Sequence, residues 1–156
     1  QTCALPIFLL TLKNSGCAAG RLAQELRFRG EMALYLQEVS FRLVTDLESP
    51  YGQLDPDSVY CVMAVYNELL NNVLKHSGAR AVEAVLVHRG GRLTLSVWDD
   101  GKGFEYDPAA PGRGSYGFGL IGEIARASGA VFDVFSSPGK GTLAMISLRP
   151  RLSPRR

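Results

Sequence analysis

Residues 67–76 read Asn67-Glu68-Leu69-Leu70-Asn71-Asn72-Val73-Leu74-Lys75-His76. Glu68, Asn72 and His76 recur at i, i+4 and i+8, a polar line along one face of a helix. Beside it Val62, Val65, Tyr66, Leu69, Leu70 and Val73 keep an apolar stripe at helical spacing. Asp55-Pro56-Asp57-Ser58 opens this helix, with Asp or Ser capping and Pro tolerated in the first turn. Ser77-Gly78 closes it. Lys75 stands three residues after Asn72, next to the polar line. A carboxylate, a neutral oxygen ligand, a cation and an imidazole together suit a hard metal ion held with phosphates. Mg²⁺ takes only one or two protein oxygens and completes its octahedron with phosphate oxygens and water. The same residues also read as an ordinary solvated helix face.

Downstream, Val82–His88 and Leu93–Asp99 are strand-like runs joined by Arg89-Gly90-Gly91-Arg92, a strong hairpin signal. Leu93, Leu95, Val97 and Asp99 share parity, so a core-facing row ends in a carboxylate. A buried carboxylate is costly unless a donor meets it, and the exocyclic amine of a purine is such a donor. Gly101 and Gly103, lacking Cβ, let the backbone approach a flat ring. A plain Asp-Gly turn fits these residues equally.

A Gly/Pro-rich loop runs from Gly101 to about Ser115. Gly112-Arg113-Gly114-Ser115-Tyr116-Gly117-Phe118-Gly119-Leu120 then crowds glycines at the start of a short helix, about Phe118 to Ala127, ending at Gly129. Free N–H groups and the helix dipole favour phosphate there. G-x-G-x-x-G occurs twice, but Asp107-Pro108-Ala109-Ala110-Pro111 precedes it instead of a strand, which argues against a Rossmann site. Val131–Phe135 and Leu143–Leu148 are two more strands flanking Ser137-Pro138-Gly139-Lys140-Gly141. Gly139-Lys140-Gly141-Thr142 is not a P-loop, and by itself is a hairpin turn.

Upstream, Gly20–Val39 reads as one helix interrupted at Gly30, Ser40–Leu47 as a strand, and Ser49-Pro50-Tyr51-Gly52 as a turn. With 156 residues, 46% apolar and 21% charged, the chain is expected to form one globular domain. The net charge is +2, but Arg149, Arg151, Arg155 and Arg156 supply four of the 17 basic residues; without them 13 face 15 acidic ones. The basic balance belongs to the tail and is no footprint for nucleic acid. No apolar run reaches the roughly 18–20 residues of a membrane span. Cys3, Cys17 and Cys61 match no metal spacing and cannot all pair, which suits a reduced, cytoplasmic setting. Residues 1–7 match the translation of a common sequencing-adapter oligonucleotide and are expected to be a scar on a truncated gene.

Four elements in this order, NNVLKHSGA, DDGKGF, YGFGL and SSPGKGT, resemble the four ATP-binding boxes of the Bergerat-fold (GHKL) superfamily of gyrase, the large heat-shock chaperone, histidine kinases and mismatch-repair ATPases. The wording is most similar to the catalytic ATP-binding domain of bacterial two-component sensor histidine kinases, in the subfamily with a short lid. It covers roughly Ser40 to Leu148. The resemblance implies an α/β two-layer sandwich, a mixed, mostly antiparallel sheet with helices on one face. It implies ATP and Mg²⁺ as ligands, with Asn72 chelating the metal and Glu68 as the activating or water-orienting acid. It places Lys75 and His76 near the phosphates, Asp99 on adenine with Gly101 and Gly103 shaping that pocket, Gly117, Gly119 and Leu120 at the lid–helix junction, and Thr142 near adenine.

The resemblance also implies partners: an upstream dimerisation domain carrying the acceptor histidine, and a response regulator, in a homodimeric parent. Two departures stand out. The only histidines, His76 and His88, lie outside any dimerisation helix, and Gly122–Ala130 strays from the family's arginine-rich helix and double glycine. Residues 8–39 are therefore expected to end an upstream dimerisation helix and linker, 40–149 to form the ATPase domain, and 150–156 a disordered basic tail. The isolated chain is expected to be a monomer that does not phosphorylate itself. Two other functions use the same boxes: a stand-alone serine kinase that inhibits a sigma factor, and a non-catalytic nucleotide-sensing module.

Overall fold

The computed structural model describes residues 16–107 and 118–151. In chain order the elements are β1 (Cys17–Ala18), α1 (Ala19–Tyr35), β2 (Ser40–Leu47), β3 (Gln53–Leu54), α2 (Pro56–Asn72) running into a π turn (Val73–Ser77), β4 (Ala81–Arg89), β5 (Arg92–Asp99), α3 (Phe118–Ala127), β6 (Val131–Ser136) and β7 (Thr142–Leu148). Five strands form one sheet in the order β2-β4-β5-β7-β6. The pairing β2–β4 is parallel; β4–β5, β5–β7 and β7–β6 are antiparallel. This is the mixed, mostly antiparallel sheet expected. A short antiparallel pair, β1 with β3, was not foreseen.

Alternation along the strands decides which face is covered. Leu43, Val82, Ala84, Leu86, Leu93, Leu95, Val97, Val134, Ala144, Ile146 and Leu148 are buried, and all point to the side where α1, α2 and α3 lie. Their strand neighbours Arg42, Val44, Trp98 and Phe135 face solvent on the opposite side. The molecule is therefore a two-layer sandwich, helices against one face.

Helix α2 is the centre of the core. Asp55 caps it, accepting the Ser58 N–H at 3.0 Å and the Ser58 hydroxyl at 2.6 Å, and such a cap contributes about 1 kcal/mol. The Asp55 carboxylate also accepts the Arg151 N–H at 2.7 Å, which ties the start of the basic tail to the domain. Residues 1–7 and 152–156 lie outside the described residues. Tyr66, fully buried, donates its hydroxyl to the Leu26 carbonyl at 2.8 Å and so joins α2 to α1. Gly30 makes room for that contact: a Cβ there would overlap the Phe41 ring and lie 2.5 Å from the Tyr66 hydroxyl.

Helix α1 ends four residues before the expected Val39. Gln37 and Val39 donate N–H bonds back to the Leu34 carbonyl and Glu38 to that of Tyr35, with Glu38 in the left-handed region at φ 56°. This turn does what a C-terminal glycine usually does, without the glycine that would have signalled it. Leu22, Leu26 and Leu34 of α1 belong to the same hydrophobic core as α2 and the sheet. The core thus runs without a break across residues 39–40.

Candidate functional site

Helix α2 does not stop as a regular helix. The Val73 N–H reaches the carbonyls of both Leu69 and Leu70, and residues 73–77 wind as a π turn. The wider turn ends at Gly78, in the left-handed region at φ 62°. Ser77 holds it: its hydroxyl donates to the Val73 carbonyl and accepts from the Ala79 N–H, both at 3.0 Å, and its carbonyl accepts the Lys102 N–H at 2.8 Å. The end of α2 is thereby fastened to the loop after β5.

That loop separates two adjacent aspartates into opposite environments. Asp99 falls on the buried parity of β5 and is only 6% exposed. Among the described residues its carboxylate has one hydrogen bond, from the Gly101 N–H to Oδ1 at 2.9 Å. Burial pushes its pKa up, the Gly101 bond opposes this, and neighbouring Asp100 raises it further. Asp100, on the other parity, accepts the Ala81 and Arg80 N–H groups at 2.9 and 2.8 Å. These backbone bonds, Ala81 first, pull its carboxyl below the usual range. Asp100 closes the start of β4, and Asp99 is left facing inward.

The hairpin between β6 and β7 packs against the same loop. The Gly139 N–H donates to the Lys102 carbonyl at 2.6 Å. Gly141 (φ 72°) lies so close to the Asp99 carbonyl, and Gly103 (φ 59°) to the Ser137 carbonyl, that a Cβ at either would overlap backbone. Between the π turn, this loop and β7 is a cavity of about 40 Å³, lined by Asn72, His76, Ser77, Asp99, Lys102, Gly103 and Thr142 on its polar side and Leu69, Val73, Val97, Ala144, Phe104 and Phe118 on its apolar side. Phe104 stacks on Phe118 (centroids 5.6 Å, planes 26° apart), and Phe118 on Phe132 at 6.0 Å.

Of the residues singled out in the sequence, the structure brings Asn72, His76, Asp99, Gly103 and Thr142 to one cavity. Gly101 stands directly behind it: its N–H orients Asp99, and a Cβ there would come 2.6 Å from Asp99 Oδ1. Glu68 is half-buried one turn before Asn72 and does not line the cavity. Lys75 is exposed, and Gly119 and Leu120 lie exposed in the first turn of α3. Gly117 lies outside the described residues. Sequence reasoning missed Ser77, Lys102, Phe104 and Phe118. Phe104 and Phe118 read as scattered aromatics, and only the fold stacks them.

One atom at the site is unsatisfied. The Asn72 Nδ2 is enclosed and has no hydrogen-bond partner among the described residues. The oxygen and nitrogen of a carboxamide are interchangeable by a flip of the group, and Asn72 is one of the residues lining the cavity. No group of three or more His, Cys, Asp or Glu that could hold a metal ion occurs among the described residues. A metal here must take most of its ligands from elsewhere. That donor set fits Mg²⁺ carried by phosphates, with Asn72 as protein ligand, and does not fit zinc.

Residues 61–152 match the family of histidine kinase-, DNA gyrase B- and HSP90-like ATPases. Among curated proteins the chain is 40% identical over 78 residues to the sensor histidine kinase LiaS of Bacillus subtilis, covering 50% of this chain and 21% of that protein. It is 34% identical over 115 residues to the sensor histidine kinase NarS of Mycobacterium tuberculosis (72% and 26% covered). It is 32% identical over 138 residues to the sensor protein VraS of Staphylococcus saprophyticus (86% and 37%). The chain thus spans between about a fifth and two-fifths of the length of these relatives. Among solved structures, the histidine kinase domain of the blue-light activated kinase of Erythrobacter litoralis EL346 superposes with a TM-score of 0.63 at 19% identity, covering 83% of this chain and 61% of that one. The catalytic domain of histidine kinase ThkA gives 0.63 at 12% identity, covering 83% and 90%. These two likenesses concern the fold. The match over more than half of the chain, on the sandwich and cavity described above, shows that the chain belongs to the histidine kinase-, DNA gyrase B- and HSP90-like ATPase family.

Proposed function

We propose that this chain is the catalytic ATP-binding part of a two-component sensor histidine kinase, which passes the γ-phosphoryl group of ATP to a histidine on an upstream dimerisation domain, and from there to a response regulator. One observation carries the reading. Asn72, His76, Asp99, Gly103 and Thr142 come from three separate stretches of the chain and line a single cavity, where Asn72 Nδ2 has no partner among the described residues.

The residues divide the work. Asp99, at the cavity's end, accepts the exocyclic amine of adenine, held in position by the Gly101 N–H. Gly103 and Thr142 border the base. Asn72, with Glu68 one turn away, serves the phosphate end, and Lys75, His76, Gly117, Gly119 and Leu120 are the further groups proposed for the phosphate side. When bound, Mg²⁺ supplies charge neutralisation at the phosphate oxygens. The protein's part is to hold phosphates, base and attacking group in register, since phosphoryl transfer is mostly positioning. Phe104 and Phe118 form the apolar wall of the cavity beside the proposed base position.

Among the described residues no helix is long and apolar enough to cross a membrane. We place this part of the protein in the cytoplasm, within a homodimeric parent; alone it is a monomer. The test uses labelled ATP. The isolated chain binds nucleotide without becoming phosphorylated, and a chain rejoined to its dimerisation domain acquires acid-labile, base-stable phosphate, lost with Asn72→Asp. Acid-labile phosphate on the isolated chain would contradict the assignment of the acceptor to another domain.

A further inference from the structure

Ser136, the last residue of β6, stands outside the cavity lining, yet its hydroxyl has three polar neighbours. The Phe104 N–H lies 3.0 Å away, the Gly141 carbonyl 2.9 Å and the Thr142 Oγ1 3.0 Å. A serine hydroxyl has one hydrogen to give and two lone pairs to offer. The Phe104 N–H can only donate, so it takes one lone pair. The Gly141 carbonyl can only accept. Gly141 is buried, its Cα pressed against the Asp99 carbonyl, and a buried carbonyl left without a donor is costly.

The single hydrogen of Ser136 therefore goes to Gly141. What remains for Thr142 is the second lone pair, so the Thr142 hydroxyl must spend its own hydrogen on Ser136. Thr142 borders the cavity, and its oxygen, so oriented, has only lone pairs left to offer. Asp99, facing the same cavity, also offers lone pairs only. Asp99 and Thr142, register partners across β5 and β7, thus both offer acceptors only.

We infer that Ser136 is a specificity-determining positioning residue: through Thr142 it makes the base end of the cavity accept an amino group and reject a carbonyl at the same ring position. The inference rests on the nucleotide reading given above and goes beyond it, because discrimination between 6-amino and 6-oxo purines is assigned to a side chain that touches neither. With Ser136 removed, the Thr142 hydroxyl is free to turn its hydrogen into the cavity and serve a carbonyl.

The experiment titrates ATP and ITP, which differ at the 6-position of the base and in the hydrogen that the 6-oxo form carries on N1, into the chain and its variants in the presence of Mg²⁺. Wild type favours ATP. Ser136→Ala lowers the ATP-to-ITP affinity ratio by roughly tenfold, the scale of one mismatched hydrogen bond. Ser136→Thr, which keeps the hydroxyl, holds the wild-type ratio, and on a Thr142→Val background Ser136→Ala leaves the ratio where it was. Equal weakening of both nucleotides by Ser136→Ala, ratio unchanged, would reduce Ser136 to a structural role and overturn the inference. Should Ser136→Ala not fold, Ser136→Cys, of similar size but a weak donor, reads the same ratio. A wild type that binds ATP and ITP alike overturns the inference alone. One that binds neither removes the nucleotide reading with it.

Discussion

Replacing Asp99 with Asn separates the site from the fold. The residue is 6% exposed, and among the described residues its carboxylate has a single hydrogen-bond partner, the Gly101 N–H at 2.9 Å. Asparagine is nearly isosteric, and its carbonyl oxygen can keep that bond. Its NH₂ then turns into the cavity, where the proposed partner is another amine. A hydrogen bond to a charged acceptor is worth about 1.5–3 kcal/mol, so ATP affinity falls by roughly 10- to 150-fold. The free protein responds in the other direction. Burial already disfavours the ionised carboxyl, as its raised pKa records, and a neutral amide removes that cost. Its Tm should hold or rise, with about 2–4 °C corresponding to 1 kcal/mol in a domain of this size. The assay pairs calorimetric titration of ATP with thermal unfolding in the absence of nucleotide. Wild-type affinity in Asp99→Asn, or a Tm lowered by more than about 5 °C, would refute the view that this carboxylate is kept for a ligand.

Further outcomes follow from the same geometry. Gly30→Ala should destabilise by about 1–3 kcal/mol despite alanine's better helix propensity, because the added methyl meets Phe41 and Tyr66; a denaturant midpoint at or above wild type would count against it. Glu38→Gly should stabilise by roughly 0.5–1 kcal/mol, since residue 38 sits at φ 56°, and a lower midpoint would show that the Glu38 side chain matters more than its backbone. Between Asp99 and Asp100 the pH effects oppose each other. Asp100, with its pKa lowered, contributes stability above its unfolded pKa that is lost as pH falls through the folded value. Asp99, raised, relieves its burial cost on protonation, and ATP binding fades through a pKa above the ordinary 3.8. In a titration of ATP affinity against pH, Asp100→Asn should leave that midpoint nearly in place, whereas an acid midpoint below 3.8 in wild type would assign the wrong carboxylate.

Much of this was legible in the sequence because it depends on local period. The row Leu93, Leu95, Val97, Asp99 has a parity of two, and the strand carries all four to the buried face. The Asp55 cap and the Arg89–Arg92 turn are equally local. What the sequence concealed depends on contacts between distant segments. The π turn over Val73–Ser77 rests on Ser77 reaching both Val73 and the Lys102 N–H, contacts that straight i, i+4 counting cannot foresee. The end of α1 at Tyr35 lacks its glycine. Ser136 looks like one serine of a turn until the fold places Phe104, 32 residues earlier, on its hydroxyl. Leu22, Leu26 and Leu34, from the helix that precedes residue 40, lie in the same core as the sheet, a long-range packing that no local period announces.

The central claim is that Asn72 and Asp99 serve one ligand, the first at its metal–phosphate end and the second at its base. Calorimetric titration of ATP with and without Mg²⁺, into wild type and Asn72→Ala, tests it most directly. One site is expected, tightened by Mg²⁺ in wild type, with that increment lost in Asn72→Ala while metal-free binding persists. No heat of binding at millimolar ATP, or an undiminished Mg²⁺ effect in Asn72→Ala, would contradict it.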